Sequence, residues 1–227
     1  MLVANKCIVL LSGGLDSTTV LALAKSEGYE IVALTFRYGQ RHLDEINKAV
    51  EIARYYQCLD HKIIDIPLSA YGHSALTDHQ LKVPEKGLHQ GIPITYVPAR
   101  NLIFLSLAVG WAEALEVQDI FIGVNAIDYS GYPDCRSVFI DSFQETANLG
   151  TKNGINGKEI KIHTPLITLS KAEIILKGTG LGVDYQKTVS CYQLDNKGKA
   201  CGLCDSCRFR MAGFEQAGIN DPTIYKS

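Results

Sequence analysis

The chain has 227 residues, 46% of them hydrophobic, with 22 Lys and Arg against 24 Asp and Glu. That is room for one domain of ordinary size with an appendage, and enough apolar material for a full core. The net charge of -2 carries no global basic signature, so composition does not imply a nucleic-acid partner.

No secretory signal is legible in residues 1–6, and the longest apolar stretch, residues 102–112, is well short of the roughly 20 residues that span a bilayer. The chain therefore reads as soluble and cytoplasmic, with no membrane partner. Residues 7–11, Cys-Ile-Val-Leu-Leu, are a bounded apolar run and predict a buried first strand. Ser12-Gly13-Gly14-Leu15-Asp16-Ser17 follows at once, and residues 18–25 have helical apolar spacing. Two glycines and two hydroxyls thus fall on a strand-to-helix turn. Such a turn can aim backbone N–H groups and a helix N-terminus at an anion. Gly13 and Gly14 let the backbone approach closely, and Ser12 and Ser17 can donate to phosphate oxygens. A carboxylate at Asp16 would repel a phosphate unless a cation lay between them, which points to Mg²⁺. A plain capped turn is the alternative for a bare Ser-Gly-Gly. The six residues fit neither the Walker pattern nor the dinucleotide fingerprint.

Beyond the first helix, residues 31–36 predict a second strand, 43–56 an amphipathic helix and 62–66 a third strand. Residues 67–95 form an excursion too long for a structureless connector. Residues 99–115 are apolar nearly all round, as a buried helix would be. Residues 119–124 predict a strand, 125–136 a loop, 137–149 a helix and 158–163 a short strand. Residues 170–177 predict a helix with Ser170 as N-cap and Glu173 three residues on, in capping-box spacing. Alternating strands and helices imply an α/β fold: a doubly wound, mostly parallel sheet flanked by helices. Ligands in such sheets bind beyond the carboxyl ends of the strands. The Ser-Gly-Gly turn, residues 37–41 and residues 125–128 all fall there.

Four of the seven cysteines crowd the C-terminal part: Cys191, Cys201, Cys204 and Cys207 form C-x9-C-x2-C-x2-C. Four converging thiolates fit structural Zn²⁺, with no open position for catalysis. Gly202 supports a tight turn, and Arg208 and Arg210 would offset the negative charge of the cluster. An iron–sulfur cluster is the rival, but no Pro follows the last Cys and the fourth ligand is differently placed. Cys7, Cys58 and Cys135 read as structural. These boundaries divide the chain into residues 1–185, the α/β domain, and 186–227, a zinc-binding segment packed on it.

The six-residue loop resembles the pyrophosphate loop of the N-type ATP pyrophosphatases, which split ATP between its α and β phosphates. Further segments narrow the likeness. They are Tyr38-Gly-Gln-Arg-His42, Gly91-Ile-Pro, Val97-Pro-Ala-Arg-Asn101, Asp128-Tyr-Ser-Gly-Tyr-Pro-Asp-Cys-Arg136, Thr164-Pro-Leu166, Ser190-Cys-Tyr and Cys201-Gly-Leu-Cys-Asp-Ser-Cys-Arg208. Together, nearly end to end, they resemble the 7-cyano-7-deazaguanine synthase family of queuosine precursor biosynthesis. Two departures stand out: Ala99 where Gly is frequent in that family, and Asn125 opening a loop where other polar or small residues are usual.

The resemblance implies an adenine nucleotide alpha hydrolase-like sheet and an ATP-dependent ligase. Its substrates would be 7-carboxy-7-deazaguanine and ammonia, and its product the nitrile. Transfer of AMP turns a poor leaving group into a good one. Ammonia gives the amide, and a second adenylation leads to the nitrile. Preorganised N–H donors and Mg²⁺ are the expected catalysts, and no protein nucleophile is needed. ATP would lie against Leu10, Leu11, Ser12, Gly13, Gly14, Leu15, Asp16, Ser17, Thr18, Thr19, Val20, Tyr38 and Gln40, and Ser12, Asp16, Ser17 and Arg100 would carry the chemistry. Asn101, Asp128, Tyr129, Tyr132, Asp134 and Arg136 are candidates for the deazaguanine pocket. Tyr38, Gln40 and Asn101 equally fit plain turn or cap roles, and Asp128–Arg136 a surface turn. The family also implies a homodimer and no nucleic-acid substrate. The rival enzyme reading is a tRNA-modifying ATP pyrophosphatase, and a non-catalytic nucleotide-binding module is a rival of another class.

Overall fold

The computed structural model describes residues 5–85, 91–127 and 131–226. Five strands form one parallel sheet: β1 (Lys6–Leu10), β2 (Glu30–Arg37), β3 (Asp60–Asp65), β4 (Asp119–Phe121) and β5 (Lys161–His163). Their order is β3-β2-β1-β4-β5, so the winding reverses between β1 and β4. The helices are α1 (Leu15–Ser26), α2 (Asp44–Tyr55), α3 (Arg100–Ala114), α4 (Ser137–Leu149), α5 (Lys152–Ile155), α6 (Lys171–Gly180) and α7 (Asp205–Ala217).

Side chains alternate across the sheet, and both faces are covered. Ile8, Leu10, Val32, Leu34 and Phe36 pack into the core shared with α3 and α4. Cys7, Val9, Ile31 and Ala33 point to the opposite face, against α1, α2, α6 and α7. That is why β1 and β2 read as continuous apolar runs rather than alternating ones. β3 is an edge strand with Asp60, Lys62 and Asp65 along it, which discourages pairing with another chain. Ser170 caps α6 in a full capping box with Glu173, as its spacing predicts.

The structure corrects the expectation for residues 99–115. The helix is apolar nearly all round, yet it is not wholly buried: Leu102 is 44% exposed, and Ser106 and Gly110 on the same ridge are exposed too. Only the side bearing Leu105, Ala108, Trp111 and Ala112 faces the core. The excursion at residues 67–95 also gains a role. Leu68, Ala75, Leu76 and Val83 are buried in the core, and Arg41 donates to the carbonyls of Ala75, Asp78 and Leu81. One guanidinium thereby pins the excursion to the rim of the sheet.

Ala99 precedes α3 with φ 54° and ψ 23°, the left-handed region. A Cβ there costs about 1–2 kcal/mol, partly offset by the extra unfolded-state freedom of glycine. Ala99→Gly is expected to stabilise the chain by about 0.5–1 kcal/mol and to raise its melting midpoint by ~1–4 °C. A thermal melt checks this; an unchanged or lower midpoint would show that the left-handed backbone is not strained.

Among the described residues, no helix is long and apolar enough to cross a membrane.

Candidate active site and metal centre

At the carboxyl ends of β1, β2 and β4, around the point where the winding reverses, lies a cavity of about 230 Å³. The β1–α1 turn forms its floor. Gly13 has φ +82°, and a Cβ there would lie 2.3 Å from the Glu45 carbonyl oxygen. Only glycine lets the turn press against α2. Gly14 stands at the N-cap of α1, and no side chain caps that helix. The first-turn N–H groups of α1 are therefore left for an anion. Ser12 and Ser17 face the same space, their hydroxyls 3.0 Å apart. Gly123, just after β4, completes the close approach. A Cβ there would lie 3.1 Å from the backbone at Asp16 and Ser17.

Of the residues expected to hold ATP, Leu10, Leu11, Ser12, Gly14, Leu15, Asp16, Ser17, Tyr38 and Gln40 line the cavity. Gly13, Thr18, Thr19 and Val20 do not. Thr18 Oγ1 donates to the Gly14 carbonyl at 2.7 Å, Thr19 Oγ1 donates to Leu15, and Val20 is fully buried in the core. Gln40 uses its amide to close the turn after β2. Its Oε1 accepts from Tyr38 N at 2.8 Å and its Nε2 donates to the Phe36 carbonyl.

The cation beside Asp16 is a lysine. Lys171 Nζ, at the start of α6, donates to both carboxylate oxygens, at 2.7 and 2.9 Å. Sequence reasoning reached Ser170 as a cap but gave Lys171 no role. No spacing rule could have found it, because 155 residues separate the partners.

Arg100 opens α3 and reaches into the cavity over the Tyr38 ring, 5.8 Å from its centre. Burial works against its charge, but Tyr38, Tyr132, Cys135 and Asp134 around it hold its pKa above the ordinary arginine value. Tyr38 is pushed up to about 12, by burial first. Tyr132 is buried, lines the cavity and shares a 2.8 Å hydrogen bond with Thr95 Oγ1.

Two other pocket candidates have structural work. Asp134 does not line the cavity; its Oδ2 accepts from the backbone N–H of Asn101 at 2.9 Å, capping α3 from another loop. Asn101 is not the N-cap: it is the second helical residue, and its Nδ2 donates to the Asp134 carbonyl and to Cys135 Sγ. Arg136 is exposed, turned back to the Pro133 carbonyl. Asp128 and Tyr129 lie outside the described residues. Asn125 lines the cavity and is also a tie, since its Nδ2 donates to the carbonyls of Leu166 and Leu169. Burial pushes the thiols of Cys7 and Cys135 up to about 12 and that of Cys58 to about 11, so all three are inert at neutral pH.

The C-terminal cysteines do converge. The Sγ atoms of Cys191, Cys201, Cys204 and Cys207 all lie within 4.8 Å of one another, with Cys201 and Cys207 at 3.9 Å. A tetrahedral site with metal–sulfur bonds of about 2.3 Å needs edges of about 3.8 Å, so this set can hold a metal. Backbone N–H groups of Gln193 and Cys201 donate to Cys191 Sγ at 3.2 Å, as suits a thiolate. Arg210 does not serve this cluster. It is 2% exposed and donates to Asp221, Thr188 and the Tyr185 carbonyl. It also lines the cavity, as do Val189, Ser190, Tyr192 and Ser206. The C-terminal part is thus a wall of the site, and Val189 N–H donates to the Gly13 carbonyl at 3.0 Å.

The chain resembles three solved structures in fold: a 4-thiouridine synthetase in complex with RNA and ATP (TM-score 0.52, 21% identity, 82% of this chain and 42% of that one), a predicted subunit of tRNA methyltransferase from Methanocaldococcus jannaschii (0.51, 16%, 98% and 93%), and NMN synthetase from Francisella tularensis (0.50, 17%, 95% and 78%). Sequence relatives are much nearer. Proteins named 7-cyano-7-deazaguanine synthase are 56% identical in Ralstonia nicotianae, across 98% of this chain and 99% of that protein, and 57% identical in Pseudomonas fluorescens, across 97% and 98%. The family model for queuosine biosynthesis protein QueC matches residues 6–218. With the loop, the cavity and the four-cysteine cluster in place, the chain belongs to the QueC family of queuosine biosynthesis proteins.

Proposed function

We propose that this chain converts 7-carboxy-7-deazaguanine and ammonia to 7-cyano-7-deazaguanine with ATP, through adenylated intermediates. The observation that carries the reading is the meeting of the uncapped α1 N-terminus, Asp16 and Arg100 on one cavity. The α1 N–H groups with Ser12 and Ser17 take the departing pyrophosphate, whose negative charge grows as AMP transfers. Arg100 is placed for a phosphate or for the substrate carboxylate. Tyr132 supplies an aromatic face for the deazaguanine, and Asn101 lines the same cavity.

Asp16, with its Lys171 partner, is the residue that would hold Mg²⁺, which neutralises phosphate charge when bound. The four cysteines suit structural Zn²⁺, because a closed set of four thiolates leaves no position for a reactant. Residues 186–227 then act as the zinc-binding segment on the 1–185 domain. We place the protein in the cytoplasm, where thiolates stay reduced. The exposed ridge of Leu102, Ser106 and Gly110 is the face we assign to a homodimer.

Purified protein with Mg²⁺-ATP, ammonium and 7-carboxy-7-deazaguanine should yield the nitrile by mass spectrometry, with one AMP for each activation step. AMP without nitrile would redirect the search to another acid or to tRNA. Neither product, from folded and metal-replete protein, would favour a nucleotide-binding module.

A further inference from the structure

The nitrile nitrogen carries no hydrogen, so every proton that ammonia brings must leave inside the cavity. On the reading proposed above, ammonia attacks the acyl adenylate. The C–N bond forms, the C–O bond to AMP breaks, AMP departs with that electron pair, and an N–H proton must be accepted. After the amide oxygen is adenylated, its C–O bond breaks in the same way. The remaining N–H protons leave as the triple bond closes. An acceptor is needed at each of these events, and it must return its proton to solvent between them.

Most ionisable groups on the cavity wall are already engaged. Both oxygens of Asp16 take hydrogen bonds from Lys171. Arg41 is held by three carbonyls, and Arg210 by Asp221, Thr188 and Tyr185. His42 donates from Nε2 to the Cys191 carbonyl, at 2.8 Å, and its Nδ1, without a hydrogen bond among the described residues, is turned toward Asp44 Oδ2 at 3.6 Å. Tyr38 and Cys135, pushed up to about 12, stay protonated at neutral pH.

Glu45 differs. It lies in the first turn of α2, lines the cavity, and its carboxylate makes no hydrogen bond or ion pair among the described residues. Its backbone carbonyl sits under Gly13, so α2 holds it at a fixed place beside the phosphate loop. The charged groups facing it are His42 from the preceding loop, Arg100 from α3 and Asp44 on its own helix, with the Tyr38 hydroxyl from the end of β2. Burial lifts its carboxyl above the ordinary range, while His42 and Arg100 pull it back. A carboxylate made more basic by burial is a better proton acceptor than a solvated one.

We propose that Glu45 is the general base that accepts the protons of the incoming ammonia nitrogen. The test compares wild type with Glu45→Gln and Glu45→Asp, each first shown to melt like wild type. In Glu45→Gln, nitrile formation from ammonium should fall ~10²–10⁴-fold. Exchange of pyrophosphate into ATP, dependent on 7-carboxy-7-deazaguanine, should stay at the wild-type level, because adenylation precedes ammonia. Hydroxylamine, a stronger nucleophile already neutral at assay pH, should still trap the adenylate as hydroxamate. At a constant concentration of free ammonia, the acid limb of the wild-type pH–rate profile should vanish in Glu45→Gln and persist in Glu45→Asp at a lower rate. Nitrile formation by Glu45→Gln at the wild-type rate would overturn the assignment. So would loss of exchange in step with nitrile, which would make Glu45 an ATP-positioning residue. Absence of exchange and nitrile in wild type would instead overturn the reading on which the assignment rests.

Discussion

Asp16→Asn is expected to abolish ATP-dependent turnover while the chain stays folded. The change keeps the shape of the side chain and removes its charge, and two consequences follow from the geometry. The phosphate loop loses its one carboxylate, and Lys171 loses the partner that receives it at 2.7 and 2.9 Å. Lys171 is almost fully buried, so the change removes the charge of its Asp16 partner where water is too scarce to replace it. Breaking a buried pair in this way costs about 3–5 kcal/mol as an upper range, although a lysine can shed its proton and reduce the loss. AMP release should fall by at least ~10²–10³-fold, the scale of losing a group that stabilises transition-state charge. The measurement is AMP formation with 7-carboxy-7-deazaguanine, alongside a thermal melt. Wild-type turnover in a folded Asp16→Asn protein would remove the pyrophosphate-loop assignment. Asp16→Ala makes the same point with a larger loss of packing.

Cys204→Ser carries the largest expected effect on stability. Cys204 is fully buried, and its sulfur is one of four that converge within 4.8 Å. Structural zinc contributes on the order of 10 kcal/mol to small domains that depend on it. Here the loss is smaller than that, because Cys191, Cys204 and Cys207 also pack in the main core. The expected outcome is loss of bound zinc by elemental analysis and a melting midpoint lowered by ~10 °C or more, since each kcal/mol shifts a chain of this size by ~2–4 °C. Activity should fall with it, because Val189, Ser190, Tyr192, Ser206 and Arg210 from the same segment wall the cavity. Unchanged metal content and melting would show that the four thiolates do not form a metal site. Iron and sulfide in place of zinc would keep the site and change the metal.

Both predictions rest on local motifs, and those were legible before any coordinates. A run of apolar residues, two glycines and two hydroxyls mark a strand, a tight turn and a helix start, because backbone sterics and side-chain period act over a few residues. The same holds for Ser170 and Glu173 in their capping box, and for four cysteines whose spacing brings thiolates together. The parallel sheet followed from alternating elements. What the motifs did not reveal is which side chains work and which merely hold. Asp134 looked like a pocket residue but ties its loop to the start of α3, while Asn101 shares that tie and also lines the cavity. Arg210 looked like a counter-charge for the cysteines but is locked to Asp221.

The sequence by itself thus determined the glycine turn between the first strand and helix, the alternation that makes the sheet parallel, and the four cysteines that converge. Each depends on neighbours in the chain. Only the tertiary structure decided that Lys171 is the cation beside Asp16, that the C-terminal segment walls the cavity, and that Glu45 lines it with no side-chain hydrogen bond or ion pair among the described residues. It also decided that one face of α3 stays open, despite a composition that is apolar nearly all round. These pairings, 33 residues apart for Asn101 with Asp134 and 155 for Lys171 with Asp16, are set by how helices seat on the sheet, and no local spacing encodes them.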